Sequence, residues 1–166
     1  MAFRTNIKAN SKDFIALLVG NEILGGGSGS MIFNNVREKE SLCYYISSFI
    51  YIFKGIIFVE SGIDTKQYEK AKDYIIKDVE NITKGNFSQD NIQIAINSLC
   101  KKYIGILDYN TAIIDYHYTN YLAGLNINID EMISSIKSIT KEDIQKYADI
   151  SERTVERNMK DLVSMG

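Results

Sequence analysis

The apolar positions change their period along the chain. Residues 3–7 read as a short strand. Phe14, Leu17, Leu18 and Asn21 then share one helical face. Ser11 stands before them as an N-cap and Asp13 as a first-turn acid, and Gly25 is placed as the C-cap. A glycine-rich stretch over 25–30 leads into a second short helix, expected over about 30–40, with Ile32, Phe33 and Val36 as its apolar side. Residues 42–53 are β-branched and aromatic almost throughout, Lys54-Gly55 fits a tight turn, and 56–61 form the returning strand of a hairpin.

Beyond the hairpin the pattern is helical. Asp64, with Gln67 three residues on, precedes a stripe of Tyr68, Ala71, Ile75, Val79 and Ile82. Ser88 caps another helix, with Phe87 and Ile92 placed as a hydrophobic staple and Ala95, Leu99 and Ile106 continuing the face. A third helix is expected over 111–123, ended by Gly124. Asp130 and Thr140 begin two shorter ones, Thr140 with Asp143 as its capping-box partner. A strand, a hairpin and a block of helices predict an α+β fold, a two-layer sandwich with helices on one face of a largely antiparallel sheet. Three strands are few for so many helices, so further strands, or residues outside this chain, are expected to complete the sheet.

Composition narrows the function. With 166 residues, 45% hydrophobic and 24% charged, the chain can bury one sizeable core and is not a disordered segment. A net charge of −2 argues against a strongly basic nucleic-acid binder. No apolar run approaches the roughly 18 residues of a membrane helix, and residues 1–10 lack the apolar centre of a signal peptide. Cys43 and Cys100 make no disulfide framework and read as small core residues. A cytoplasmic location is expected. His117 is the only histidine, and Tyr118, Thr119 and Asn120 follow it, so no helical histidine pair is available for zinc. The chain is expected to hold no metal and no other cofactor.

Three features invite a chemical reading. The glycine-rich loop lacks the lysine of a phosphate-binding loop and follows a helix instead of a strand, so it reads as a helix end and a connection. His117, among Tyr116, Tyr118 and Tyr121, reads as a surface or half-buried helix residue, with the tyrosines packing. Arg37 and Tyr44 flank the joint between the short helix and the long strand, where both can reach the same space beside a sheet end. A guanidinium and a phenol there can donate hydrogen bonds to a peptide carbonyl or a carboxylate. The plain alternative is a surface arginine paired with a glutamate and a tyrosine at the core edge.

Asn21-Glu-Ile-Leu-Gly-Gly26 and Ser30-Met-Ile-Phe-Asn-Asn-Val-Arg-Glu-Lys-Glu-Ser-Leu-Cys-Tyr44 resemble the C-terminal, non-catalytic half of pitrilysin-type zinc peptidases, the family of insulin-degrading enzyme and mitochondrial processing peptidase. Tyr121 to Gly124 and the Ile-Thr-Lys-Glu-Asp-Ile run at 139–144 extend the likeness, which spans about 4–148. The resemblance implies a metallopeptidase-homologue fold over 1–148 with no catalytic residue of its own. The family's His-x-x-Glu-His zinc motif lies in its other half, which this chain lacks; the chain is thus expected to be a fragment or a non-catalytic partner, near bacterial paralogues without that motif. Arg37 and Tyr44 match the family's arginine and tyrosine that contact substrate near the scissile bond. The implied function is to bind extended peptide and complete the chamber of a zinc peptidase carried by another domain or subunit. The implied partners are that zinc-bearing half and the peptide substrate, and a homodimer is also open.

The family ends this domain with a further strand, whereas 149–166 has no β-like run and reads as a helical tail. That tail resembles the recognition helix of winged-helix regulators, which gives the rival reading of a DNA-binding helix-turn-helix over 141–166. Those residues carry five basic and six acidic side chains, a poor match for DNA. A third reading is a purely structural peptidase half.

Overall fold

The hairpin builds the sheet on which the helices lie. A computed structural model describes residues 1–145. In it β1 (Ala2–Arg4), β2 (Cys43–Tyr51) and β3 (Ile56–Ile63) form an antiparallel sheet in the order β1-β3-β2. The helices are α1 (Phe14–Gly25), α2 (Tyr68–Thr83), α3 (Gln89–Ile106), α4 (Asn110–Ala123) and α5 (Ile129–Lys137). A π-helix, Phe33–Lys39, leads into β2, and a 3₁₀ turn, Thr65–Gln67, leads into α2. This is the expected α+β sandwich.

α1 is the centre of the core. Leu17 and Val19 are wholly buried, and Ile23 and Leu24 nearly so. One side of α1 faces Ile46 and Ser48 of β2, while α2, α3 and α5 cover the rest. A helix apolar all round must be enclosed in this way. Gly25 permits the approach of helix and sheet: a Cβ there would stand 2.6 Å from Ser48 Oγ and would also meet Ile32. Phe49, Tyr51 and Phe58 cluster on the other sheet face, with ring centroids 5.5–5.9 Å apart.

Several caps form as the sequence predicts. Ser88 exchanges bonds with Asn91, Phe87 and Ile92 are buried beside it, Thr140 and Asp143 cap each other, and Gly124 is left-handed at φ 70°. Others shift. The first strand stops at Arg4 because Asn6 turns left-handed at φ 58°. Ser11 does not cap α1; its hydroxyl accepts from the Asp13 amide, 3.3 Å away, and the helix starts at Phe14. Gly25 lies inside α1, and the cap is Gly26 in right-handed conformation. Asp64 caps the 3₁₀ turn through the Lys66 amide and makes no box with Gln67. Asn128, two residues before Asp130, caps α5 in a box with Glu131. Residues 146–166, with the expected tail and most of the helix-turn-helix reading, lie outside the described residues. Among those described, no helix is long and apolar enough to cross a membrane.

Candidate functional site

The joint between the π-helix and β2 departs from regular backbone three times within a dozen residues. The helix before it carries the wide π winding over Phe33–Lys39, a rare form frequently found at functional sites. Ser41 then sits left-handed at φ 52°, which costs a residue with a Cβ on the order of 1–3 kcal/mol. The pairing of β2 with β3 next slips from Cys43↔Ile63 to Tyr45↔Gly62, leaving Tyr44 as the extra residue of a bulge. A bulge re-aims its side chain, and Tyr44 is 80% exposed.

These irregularities bring the two sequence-predicted residues together. Arg37 Nε donates to the Tyr44 carbonyl at 3.1 Å. Its guanidinium lies 4.7 Å from the centre of the Phe33 ring and 3.4 Å from the Glu38 carboxylate. One N–H is therefore committed to the backbone, and part of the fork remains open to solvent. Arg37 and Tyr44 both line an open groove of about 500 Å³ with Glu38, Ser41, Asp64 and Gln67. Two carboxylates share this groove with one guanidinium, so it suits a neutral carbonyl better than a carboxylate. The pairing of Arg37 with Glu38 is the one the plain alternative expects; the exposure of Tyr44 is not.

Polar contacts, of which only those to Asp78 are partly buried, tie the joint to α2. Asn35 on the π-helix donates to both carboxylate oxygens of Asp78 on α2, at 2.8 and 2.9 Å, and accepts from Lys39 at 3.0 Å. Burial pushes the Asp78 carboxyl above its ordinary range, against the pull of those amides. Glu40 pairs with Lys70 at 2.8 Å, and hydrogen bonds from Lys70 and Tyr74 hold its carboxyl below the usual range. Asp78 was missed in the sequence, although an acid beside Val79 on the apolar stripe of α2 was a signal that could have found it. Glu38, Ser41, Asp64 and Gln67 carried no sequence signal as groove residues.

The other candidates do not converge. His117 is exposed on α4 with Tyr116 against its ring, and among the described residues no three His, Cys, Asp or Glu side chains gather as metal ligands. These residues do not fit zinc. Cys100 is buried and Cys43 half-buried. The glycine-rich loop is fixed by a charge cluster: Lys102 bridges Glu22 at 2.7 Å and donates to the Gly26 carbonyl at 2.9 Å, while Ser98 donates to Glu22 at 2.7 Å.

Comparison with known proteins gives consistent results. The family model of the peptidase M16 inactive domain matches residues 1–99. The probable inactive metalloprotease YmfF of Bacillus subtilis (strain 168) is 35% identical over 146 residues, covering 88% of this chain and 34% of that protein. A conserved protein from Enterococcus faecalis V583 superposes with a TM-score of 0.82 at 35% identity, covering 90% of this chain and 35% of that one. The peptidase M16 inactive domain from Pseudomonas fluorescens shares the fold at a TM-score of 0.73 and 20% identity, over 87% of this chain and 36% of that one. The chain spans about a third of the length of the curated relatives it matches.

Proposed function

This chain belongs to the peptidase M16 inactive-domain family, and on that premise we propose that it binds extended peptide through Arg37 and Tyr44 and completes the chamber of a zinc peptidase whose zinc-bearing half lies outside it. The observation that carries this reading is the strained, exposed joint. A π-helix, a left-handed serine and a bulge surround a groove that both Arg37 and Tyr44 line, and neither side chain belongs to the buried core. A peptide laid beside the sheet end presents carbonyls that need donors once water is excluded. Arg37 offers the open part of its fork and Tyr44 a single O–H.

Peptide hydrolysis tests the reading in the longer protein, or in this chain assembled with the zinc-bearing half. Arg37→Ala and Tyr44→Phe should each lower the rate with folding intact. A donor to the developing oxyanion is worth roughly a hundred- to a thousandfold, and a contact farther from the reacting bond is worth less. Full activity in both variants would leave the domain a structural role only.

A further inference from the structure

A second groove, of about 630 Å³, lies where α1, α3 and α4 meet the middle of β2. Phe14, Leu18, Ile50, Ile52, Leu99 and Ile106 give it apolar walls. Among the described residues β2 has β3 on one side and no strand on the other, so its outer edge has no ladder partner. Asn21 stands against that edge. It is 7% exposed, and its Nδ2 donates to the Ser48 carbonyl at 3.3 Å. Ser48 Oγ donates back to the Asn21 carbonyl at 3.2 Å, which fixes the two residues to each other. Asn21 Oδ1, buried in the same wall, has no partner, and a buried acceptor left without a donor is costly. The charged pair in the wall, Glu22 and Lys102, is already satisfied by mutual contact. The unfilled demand of the groove is thus for an N–H donor beside an apolar body.

We propose that this groove is a second peptide subsite, in which an extended segment adds along the free edge of β2, donates a backbone N–H to Asn21 Oδ1 and seats one large apolar side chain between α1 and α4. A peptide strand meets both demands at once, since its backbone matches a strand edge and alternate side chains enter a pocket. Burial pushes the Tyr103 hydroxyl in the same wall up to about 12, so it stays a neutral donor throughout the physiological range. Tyr44 lies four residues from Ser48, roughly 13 Å along a strand, so one extended peptide can span both sites. The inference extends the peptide reading above without depending on Arg37 or Tyr44.

Fluorescence anisotropy with fluorescein-labelled Lys-Thr-Phe-Thr-Lys and Lys-Thr-Ala-Thr-Lys tests it. The phenylalanine peptide should bind about tenfold or more tightly, as burial of one aromatic side chain implies. Ala112→Phe, which fills the groove from α4, should abolish that preference, whereas Asn21→Leu, which at similar volume removes the acceptor of a backbone N–H common to both peptides, should weaken both and leave the preference in place. Arg37→Ala should weaken both peptides alike and leave their ratio unchanged. If Asn21→Leu does not fold, Ala112→Phe decides alone. A preference that survives Ala112→Phe, no preference, or no binding of either peptide would overturn the subsite. Loss of both peptides on Arg37→Ala with no preference between them would overturn it while leaving the first reading standing.

Discussion

Two cations in this fold each donate to a backbone carbonyl at a chain turn, and they do different work. Lys102 reaches the Gly26 carbonyl at the end of α1, and Arg37 reaches the Tyr44 carbonyl at the start of β2. Beneath Lys102 lies Glu22, its side chain only 5% exposed and accepting from both Lys102 and Ser98. Beside Arg37 lies Glu38, 54% exposed, at 3.4 Å. The first cluster closes on itself and staples α1 to α3. The second leaves donors turned to solvent on a strained backbone. Burial of the acid, more than the kind of cation, separates a structural contact from one available to a ligand.

The sharpest way to break this comparison is to remove the lysine. Lys102→Met keeps the stem but leaves a buried carboxylate with only Ser98. Stability should fall by an amount at or just below the roughly 3–5 kcal/mol lost when a fully buried pair is broken, read as a lower urea midpoint. A loss under about 1 kcal/mol, the range of exposed pairs, would erase the distinction.

A smaller effect tests the strain at the other joint. Ser41→Gly frees the left-handed position, but glycine gives up part of that gain through its flexibility in the unfolded chain. Stability should rise by no more than about 1 kcal/mol, while peptide hydrolysis falls as Tyr44 loses its fixed aim. Marked destabilisation would mean that the serine side chain is needed for folding.

The pH dependence is the mildest test. The folded pKa of Asp78 is raised above the ordinary 3.8. Its contribution is therefore full below that value and is lost as pH rises through the folded pKa. Glu40 runs the other way: its pKa is lowered from 4.5, so its contribution is present above that value and is lost as pH falls through the folded one. Asp78→Asn should remove the first trend only, so the mutant gains on the wild type as pH rises past 3.8. Urea midpoints across an acidic pH series would show it, and a constant difference would contradict it.

What the sequence made legible follows from where the controlling forces act. Ser88, Gly124 and the Thr140–Asp143 pair declare themselves because capping is local chemistry between neighbours. The hairpin was legible for the same reason: Gly55 takes φ 60° at its turn. The π winding, the left-handed Ser41 and the bulge at Tyr44 have no residue signature. They lie between two long-range contacts, Asn35 with Asp78 on α2 and Ser48 of β2 with Asn21 on α1, which local residue patterns do not reveal. Arg37 and Tyr44 could thus be named as a pair, but the geometry that exposes them could not. Asn21 shows the reverse. It read as one more member of the α1 face, and only its unfilled oxygen, buried beside the edge of β2, distinguishes it.

Photo-crosslinking reads out whether the joint at Tyr44 touches peptide. Tyr44 is replaced by p-benzoylphenylalanine, the domain is combined with the zinc-bearing half proposed for it, and the mixture is irradiated with a biotinylated peptide. The same replacement at Tyr121, equally exposed at 79% but on α4, serves as the control. A peptide adduct should form from position 44 and little from position 121. No adduct at 44, or equal yields at both, would contradict peptide contact at this joint.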